Sequence, residues 1–543
     1  MSMSMSLYPY GLEQNPFPSS PTPTIHDARV LGGKRHREAR DAIVDCIDDL
    51  YSKLKAKDGN YDARDFRLVT VVQDIGSGKT HLALHIKSTR EDVICSYVDL
   101  STISPKSMHG LFSSILKGFD SEYVEHLRSI IVNELKRSAI EGNKHARKFF
   151  RPSLFFSNIE RLADEVMKGK REPDFRYLNN ALADMGMDID EYELLVIKKI
   201  VEKRFADVSD LSSLEDMLSF LASLARINQR FLSKITMIEI DEFDSNMDSI
   251  EFVKAIINAH LPSTIVLLIT TPSIYDSIRS ISPSLFDRLE KANYKIDLVG
   301  SSTFDEIADI ALEYIRKDVK DLRFSMQESD ITSKIRVVYD EFIEFRNIRS
   351  LLNILYHAME IAARRNDKVL SEEAIEEAIK QAYPGLRVRG SLMNVPIAEY
   401  MRIRREHSSI DLLEHGVKQA VKNLLALIQE HGKISRVEYD TAINSISADA
   451  VYMDANMRRV GVMVTLGKDY ASMKDLYHEG ISVDKLLVIN NIGNNSSNGA
   501  VFVSIDKYKI ADLIYFSQKY SKKEITDIDV EKALLLARSI TLY

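Results

Sequence analysis

The feature that most constrains the fold is a short β-branched run that leads directly into a glycine-containing loop. Residues 68–72 (Leu-Val-Thr-Val-Val) have the composition of a strand buried on both faces. The chain continues through residues 76–80 (Gly-Ser-Gly-Lys-Thr) into a segment from His81 whose apolar residues recur with helical spacing. A strand, a tight loop and a helix in this order begin a parallel βαβ unit. The sequence therefore predicts an α/β fold with a parallel sheet covered by helices.

Three further apolar runs predict neighbouring strands of the same sheet. They are residues 93–98, 235–240 and 264–269. Thr80 and Asp241 lie about 160 positions apart, although two crossover units of roughly 30 residues each would need only about 60. We therefore predict an insertion of about 100 residues. The spacing of apolar residues predicts helices through most of 104–232.

The loop has the residue types that hold phosphate groups. Backbone N–H groups and a helix N-terminus attract anions, Lys79 adds a positive charge, and the Thr80 hydroxyl is expected to hold Mg2+. Gln73 departs from the usual pattern, which has a glycine at this position, but the position only begins the loop and needs no more than a permitted backbone angle. The alternative is a Gly-Ser-Gly turn without a ligand. The predicted ATP-binding residues are Gln73, Asp74, Ile75, Gly76, Ser77, Gly78, Lys79, Thr80 and His81.

Two acidic residues follow the strand predicted at 235–240. Asp241 and Glu242 lie at its carboxyl end, which in a parallel sheet is the edge that carries the phosphate loop. Asp241 is predicted to ligate Mg2+ with Thr80, and Glu242 to orient and deprotonate the attacking water. Glu239 lies inside the strand and is expected to face the insertion or a rim. The alternative is a strand that merely ends in solvated acids.

With this loop and acid pair, the chain resembles the AAA+ superfamily of ATPases. Within the superfamily it resembles the archaeal and eukaryotic origin-recognition initiators, over about residues 8–384. The resemblance implies a P-loop core, a helical lid, and ATP hydrolysis that is slow or stimulated by a partner. The other segments that carry it are Gly32-Gly33-Lys34-Arg35 with Glu38, Thr270 or Thr271, residues 284–288, and residues 347–353.

The resemblance also implies roles for individual residues. Residues 32–35 would help to hold the adenine, and Thr270 or Thr271 would sense the γ-phosphate. Arg349 would be the lid arginine, and Arg288 would be an arginine finger that acts on a neighbouring copy and so requires self-association. Arg288 is equally compatible with a solvated helix residue.

The chain is predicted to contain several domains, because 543 residues are too many for one hydrophobic core. After residue 301 the pattern is helical, and Ser371 is predicted to be an N-cap. The predicted parts are a Pro-rich arm (1–26), an AAA+ core (27–300), a helical lid (301–384), a basic connector (385–409) and an α/β C-terminal domain (410–543).

The C-terminal domain weakly resembles a restriction-endonuclease-like PD-(D/E)xK fold. Asp449 takes the place of the first acid, but residues 460–466 contain no carboxylate, and Lys468 follows too late. The domain is therefore interpreted as catalytically silent or as an unrelated binding module. An alternative assigns residues 433–443 to a small helical DNA-binding unit. The predicted elements are helices over 410–429, 470–478 and 508–520, and strands over 449–453, 459–466, 485–490 and 501–505.

The best local basic cluster lies in the insertion and has Phe149 and Phe150 interleaved. Cations bind phosphate and exposed aromatic rings stack on bases, so DNA is a possible partner here and at the connector arginines. The alternative is a solvated helix face whose two phenylalanines belong to the core. The cations predicted to contact DNA are Lys144, Arg147, Lys148 and Arg151.

Composition limits the remaining functional classes. The formal net charge of -8 and the pI of about 6.0 give no overall positive field that would attract nucleic acid. The apolar runs are shorter than the roughly 20 residues of a membrane span. Cys46 and Cys95 lack metal-ligand spacing, so a cytoplasmic protein is expected. Two functions follow: an ATPase that switches a DNA-associated assembly, or a nucleotide-controlled protein-binding switch in signalling, defence or protein remodelling.

Overall fold

The structure is a computed structural model of the whole chain. It describes residues 8–19, 31–56, 65–74, 79–152, 158–300, 303–319, 327–443, 446–467, 483–492 and 500–543. The chain forms two compact units. One is Pro16–Leu352, and the other combines Met1–Asn15 with Asn353–Tyr543. The predicted domain boundaries at residues 300, 384 and 410 remain predictions.

The first unit is built on a five-stranded parallel sheet with the order β2-β3-β4-β1-β5. The four strands predicted from apolar runs are all present, at nearly the predicted positions. The fifth strand was not predicted, because its four residues alternate in polarity and remain largely exposed. The strands are β1 (Phe66–Val72), β2 (Val93–Asp99), β3 (Ile235–Asp241), β4 (Thr264–Thr270) and β5 (Tyr294–Asp297).

Helices cover both faces of this sheet. On one face, α1 (Lys34–Ala56) and α2 (Lys79–Thr89) pack their apolar residues on alternate side chains of the strands. On the other face, the core is continuous with that of the insertion. The other helices of this unit close to the sheet are α10 (Met247–Ala259), α11 (Pro272–Ile281) and α12 (Pro283–Glu290).

The segment between β2 and β3 is helical, as predicted. Several helices start at side-chain caps; for example, Asp190 and Glu193 form a capping box. The helices are α3 (Met108–Gly118), α4 (Ser121–Ile140), α5 (Lys144–Phe149), α6 (Ile159–Met167), α7 (Leu178–Asp184), α8 (Glu191–Val201) and α9 (Leu214–Ile227).

A buried arginine holds three insertion helices together. Arg128 lies on α4 and is 2% exposed. Its guanidinium donates to the carbonyls of Val166 and Met167 at the end of α6, at 2.7 and 2.8 Å, and to that of Val201 at the end of α8, at 3.0 Å. Carbonyls at helix ends have no partner within their own helix, and a cation there is favourable. Arg128 therefore fixes the framework on which α5 is displayed.

The remaining helices of the first unit are α13 (Phe304–Asp318), α14 (Glu328–Glu341) and the start of α15 (Ile348–Arg365). The second unit contains the rest of α15 and α16 (Glu372–Ala382). The predicted cap at Ser371 is confirmed, because its hydroxyl accepts from the Ala374 N–H.

In the second unit, the described part of the N-terminal arm packs on α15. Tyr8 donates to Glu360 at 3.0 Å, and Asn15 donates to the same carboxylate at 2.8 Å. The Tyr10 hydroxyl accepts from the Leu370 N–H at 2.9 Å, and Leu12 is fully buried. These contacts attach the described start of the arm to the helices of the second unit.

The C-terminal sheet has the order β10-β9-β8-β7-β6. Strands β6, β7 and β8 are antiparallel neighbours, whereas β8, β9 and β10 are parallel. The helical alternative for residues 433–443 is wrong, because most of that segment forms β6, a largely exposed edge strand. The helix predicted at 470–478 lies outside the described residues. The elements are α17 (Ile397–Glu406), α18 (Ile410–Glu430), β6 (Ser435–Ile443), β7 (Ile446–Met453), β8 (Arg459–Val464), β9 (Lys485–Asn490), β10 (Ala500–Ser504), α19 (Lys507–Ser521) and α20 (Asp527–Ser539).

The predicted fold class is confirmed by this topology. The first unit is a parallel sheet covered by helices, with a helical insertion between β2 and β3 and further helices after β5, and an α/β C-terminal region with its own sheet follows it.

Candidate functional site

Three neighbouring strands bring the predicted site residues to one edge of the first sheet. Strands β3, β4 and β1 are adjacent and parallel, so the segments that follow them leave the sheet side by side. The Gln73 N–H donates to the Thr270 carbonyl at 3.0 Å, and the Phe243 N–H donates to the Ile269 carbonyl at 3.1 Å. The starts of the phosphate loop and of the acid-bearing loop are thus both bonded to the end of β4.

The described part of the phosphate loop has the predicted strand-loop-helix context. Helix α2 begins at Lys79, so Lys79 and Thr80 occupy its first turn, where N–H groups lack partners within the helix. Asp74 accepts from the Gly300 N–H at 2.8 Å. The His81 ring meets Tyr314 of α13 edge-on, with centroids 6.4 Å apart. The predicted residues Ile75, Gly76, Ser77 and Gly78 lie outside the described residues.

Gln73 does not project into solvent. It is fully buried, and its Nε2 lies 2.8 Å from Nε2 of His36 on α1. The side chain that replaces the usual glycine is therefore part of a polar contact inside the core.

Asp241 ends β3 and is fully buried. Its Oδ1 accepts from the Glu242 N–H at 2.7 Å, and its Oδ2 accepts from the Tyr97 hydroxyl at 3.0 Å. These bonds fix the orientation of the carboxylate. Sequence reasoning missed Tyr97; its position two residues before the end of β2, on the same face of the sheet as Asp241, is the signal that could have identified it.

Glu242 has a left-handed backbone with φ of 50°. A non-glycine residue adopts this conformation rarely, and it requires support from its surroundings. Here the Glu242 N–H bond to Asp241 gives part of that support. The conformation turns the chain sharply at the end of β3, and the Glu242 side chain remains partly exposed.

The expectation for Glu239 is wrong. It is fully buried on the face covered by α2, away from the insertion and from any rim. It shares this face with Asp241 because the two residues are two positions apart on one strand. Burial raises the pKa of Glu239 well above its usual value, and the nearby Lys87 offsets only part of this.

The two threonines after β4 differ in their environment. The Thr270 hydroxyl is fully buried and donates to the Phe243 carbonyl at 3.0 Å, so it holds the acid-bearing loop. Thr271 is 8% exposed, and its hydroxyl lies 3.2 Å from that of Ser273 in the first turn of α11. Of the pair, Thr271 is the better placed for a contact with a ligand.

The two predicted arginines lie on separate helices of the first unit. Arg288 lies on α12 and is partly exposed, and Arg349 lies in the first turn of α15 and is exposed. Among the described residues, neither guanidinium has an ion-pair partner.

The cations of the insertion form an exposed group on and beside α5. We call Lys136, Lys144, Arg147, Lys148 and Arg151 the basic surface. None of the five makes an ion pair with a described residue. Two neighbouring basic residues have acidic partners, because the His145 ring lies 2.8 Å from Asp184 and Arg137 pairs with Glu134.

The aromatic residues of this segment are not available for stacking. Phe149 and Phe150 are fully buried and contact each other edge-on, with centroids 5.1 Å apart. The interpretation that both belong to the core is confirmed. A ligand at the basic surface would therefore contact mainly positively charged side chains. The partly exposed Tyr177 lies beside them, with Nζ of Lys148 at 5.1 Å from the centroid of its ring.

Two of the connector arginines, Arg402 and Arg405, pair with acids inside the second unit. Arg402 pairs with Glu399 and Glu406 of its own helix, α17. Arg405 pairs with Glu373 and Glu376 of α16, at 3.0 and 2.8 Å. These bonds attach α17 to α16 and reduce the positive charge that the connector presents to a partner.

No protein-family model matches the chain, and no curated protein sequence matches it. The chain is similar in structure to the ORC2 protein of Aeropyrum pernix, in a structure of its ADPNP-ADP complexes, with 13% identity and a TM-score of 0.36 over 74% of this chain and 77% of that chain. The ADP form of ORC2 gives 13% identity and a TM-score of 0.33 over 66% and 73%. The parallel α/β architecture described above is given by the strand order and connectivity of this chain and does not depend on this likeness.

Within the described ranges, no helix combines the length and the apolar character needed to span a bilayer.

Proposed function

We propose that this chain is an ATPase that binds ATP with Mg2+ and hydrolyses it, slowly or on stimulation, to switch the conformation of a DNA-associated assembly. The observation that carries the proposal is the convergence of three features at one sheet edge. The phosphate loop follows β1, Thr271 follows β4, and Asp241 with Glu242 ends β3, and these three strands are adjacent.

The residues at this edge suit a nucleotide with a divalent cation. Helix α2 presents its N-terminus directly after the loop, which favours an anionic group. Asp241 is buried and oriented by two neutral donors, so it can ligate Mg2+ together with Thr80. Bound Mg2+ would neutralise charge on the terminal phosphates. Glu242 would then accept a proton from the attacking water, and Thr271 would contact the terminal phosphate.

A pair of variants tests nucleotide binding and hydrolysis separately. Lys79→Ala should weaken the binding of a fluorescent ATP analogue, because it removes the cation that reaches the terminal phosphates. Glu242→Gln should bind the analogue normally but hydrolyse ATP at least about 100-fold more slowly, as expected for loss of a general base. The matched control is Glu251→Gln, which alters an exposed carboxylate on α10 that pairs with Lys254. Normal turnover by Glu242→Gln would contradict the assigned role.

The proposed DNA contact is the basic surface. Its five cations have no ion-pair partner among the described residues, whereas two of the connector arginines, Arg402 and Arg405, are paired with acids. Because Phe149 and Phe150 are buried, we expect contact with the phosphate backbone and little dependence on base sequence.

Charge reversal tests this interaction. Arg147→Glu combined with Lys148→Glu should weaken DNA binding and reduce the slope of log K against log salt by about 0.9 for each duplex phosphate that the protein no longer neutralises. The control is Lys117→Glu, which reverses an exposed charge on α3. An unchanged salt dependence in the double variant would remove the DNA assignment from this surface.

Self-association is proposed through Arg288. An arginine that stabilises charge on a neighbour's γ-phosphate affects turnover much more than binding. Arg288→Ala should reduce ATP hydrolysis about 1,000-fold, with ATP affinity nearly unchanged. Turnover at the wild-type rate in this variant would exclude the finger. The mass of the ATP-bound species, measured by light scattering, gives the stoichiometry independently.

The second candidate is a nucleotide-controlled switch that binds a protein partner. It is favoured by the net charge of -8 and by the large helical insertion between β2 and β3. The ATPase rate measured with and without single- and double-stranded DNA discriminates between the two candidates. Several-fold stimulation by DNA supports the first. Indifference to DNA, together with a co-purifying protein, supports the second.

A further inference from the structure

The side chain that replaces the first loop glycine belongs to a buried polar group of three residues. Gln73 Nε2 lies 2.8 Å from His36 Nε2, and His36 Nδ1 lies 4.0 Å from Oε2 of Glu306 on α13. All three residues are at least nine-tenths buried. With the Gln73 amide as donor, His36 Nε2 accepts and its proton lies on Nδ1, the nitrogen that faces Glu306.

The Glu306 carboxylate is held in its charged form. Its Oε1 accepts from the Arg35 N–H at 2.9 Å. Burial by itself would raise the pKa of Glu306, but His36 and the Arg35 N–H outweigh burial, so the pKa lies below its usual value. Glu306 is therefore an anion in the core, and its Oε2 faces the His36 ring at 4.0 Å.

The backbone before α1 approaches α13 more closely than a side chain would allow. Gly33 has φ of 85°, and a Cβ on it would lie 2.1 Å from Glu306 Oε2. A Cβ on Gly32 would lie 2.5 Å from the Cα of Ile310. The Gly33 N–H also donates to Asp309 at 3.0 Å. The two glycines thus permit the close approach that brings His36 to Glu306.

We propose that Gln73 is a positioning residue that connects the start of the phosphate loop to helix α13 through His36 and Glu306. The proposal rests on the proposed nucleotide-binding function and deepens it. A glycine at position 73 would leave the loop and α13 without this connection. With glutamine there, a change in the loop on nucleotide binding is transmitted to α13, and displacement of α13 alters the loop. Gln73 thereby changes the affinity for nucleotide through this connection, although its side chain is buried.

A double-mutant cycle separates this role from direct contact with the nucleotide. The variants are Gln73→Ala, His36→Ala and the combination, and the measured quantity is the dissociation constant for a fluorescent ATP analogue with Mg2+. We expect each single variant to bind about five- to tenfold more weakly, as for the loss of one buried hydrogen bond. The combination should bind no more weakly than the weaker single variant, because both break the same connection.

A second measurement does not depend on nucleotide. Hydrogen exchange of residues 304–318 in the nucleotide-free protein should be several-fold faster in Gln73→Ala than in the wild type. If the wild type binds no nucleotide, the proposed function fails, but faster exchange in this variant still supports the connection. Unchanged exchange overturns it.

Control variants cover the remaining outcomes. Tyr192→Phe removes a hydrogen bond to Asp216 in the insertion, so it should change neither the affinity nor the exchange of residues 304–318. Glu306→Gln keeps the shape of the side chain and should reproduce the faster exchange with a normal melting temperature. If Gln73→Ala weakens binding equally in the wild-type and His36→Ala backgrounds, Gln73 contacts the nucleotide directly and the proposal is wrong.

Discussion

Each of the two sheets contains an aspartate predicted from the sequence as a candidate metal ligand, Asp241 at the end of β3 and Asp449 within β7 beside the end of β8, and the two are held differently. In the first sheet, Asp241 accepts from the Tyr97 hydroxyl and the Glu242 N–H, both neutral donors. In the C-terminal sheet, Asp449 on β7 accepts from the Val464 N–H at 2.7 Å and lies 3.6 Å from the Lys418 ammonium.

Lys418 also contacts a second carboxylate, that of Glu414, at 2.8 Å. An ammonium between two acids supplies the positive charge that a metal ion would otherwise provide. The comparison teaches that an acid in a sheet indicates chemistry only together with its partners. The predicted phosphate loop follows a strand of the same sheet as Asp241, whereas Asp449 lies beside the ammonium of Lys418.

The largest expected effect tests this difference directly. Asp241→Asn should reduce ATP hydrolysis about 100-fold or more, because charge stabilisation by a bound metal is worth several kcal/mol. Asp449→Asn should leave hydrolysis unchanged. Steady-state rates with Mg2+ for both variants decide the matter. Loss of hydrolysis in Asp449→Asn, or normal hydrolysis in Asp241→Asn, would contradict the comparison.

A smaller effect is expected at Tyr97, which positions Asp241. Tyr97→Phe removes one hydrogen bond to a carboxylate, a bond worth about 1.5–3 kcal/mol. We expect the Mg2+ concentration for half-maximal hydrolysis to rise about tenfold, while the affinity for ADP without Mg2+ stays the same. Tyr192→Phe is the matched control, since its hydroxyl donates to Asp216 in the insertion. An equal change in both variants would mean that Tyr97 has no special relation to the site.

Sequence reasoning predicted the parts of this site that lie close together in the chain. Apolar runs identified β1 to β4 because these strands are buried on both faces. It missed β5 and β6, whose residues are mostly exposed and lack an apolar pattern. It also assigned Gln73 only to the loop, because its partners His36 and Glu306 are distant in sequence and meet only through the tertiary fold.

The next effect concerns the stability of the C-terminal sheet. Lys418→Met leaves the carboxylates of Glu414 and Asp449 close together without their cation. We expect the free energy of unfolding to fall by about 1–3 kcal/mol, as for a buried group left without its partner. The control is Lys422→Met, which breaks the more exposed pair with Asp440 and should cost less than about 1 kcal/mol. Thermal unfolding of the full chain measures both. Equal losses would mean that Lys418 is an ordinary surface lysine.

The smallest expected effect is a dependence on pH. Burial raises the pKa of Asp449 above 3.8, although Lys418 and the Val464 N–H oppose the rise. The folded state therefore binds the Asp449 proton more tightly than the unfolded state does. The protonated carboxyl contributes fully to the stability of the folded state below about pH 4, and this contribution is lost as pH rises through the pKa of Asp449 in the folded state. Asp449→Asn removes the contribution, so the variant should gain stability relative to the wild type as pH rises from about 4 to 7.

The difference between the two proteins is the quantity to measure, because other carboxylates have the opposite slope. Burial raises the pKa of Asp529, but Lys519 and Thr526 outweigh it and the pKa is lowered, so its stabilisation is lost as pH falls. Such contributions are common to the wild type and Asp449→Asn, and they cancel in the difference between their melting temperatures. A difference that stays constant from about pH 4 to 7 would show that Asp449 has the same pKa in the folded and unfolded chain, and that Lys418 compensates fully for its burial.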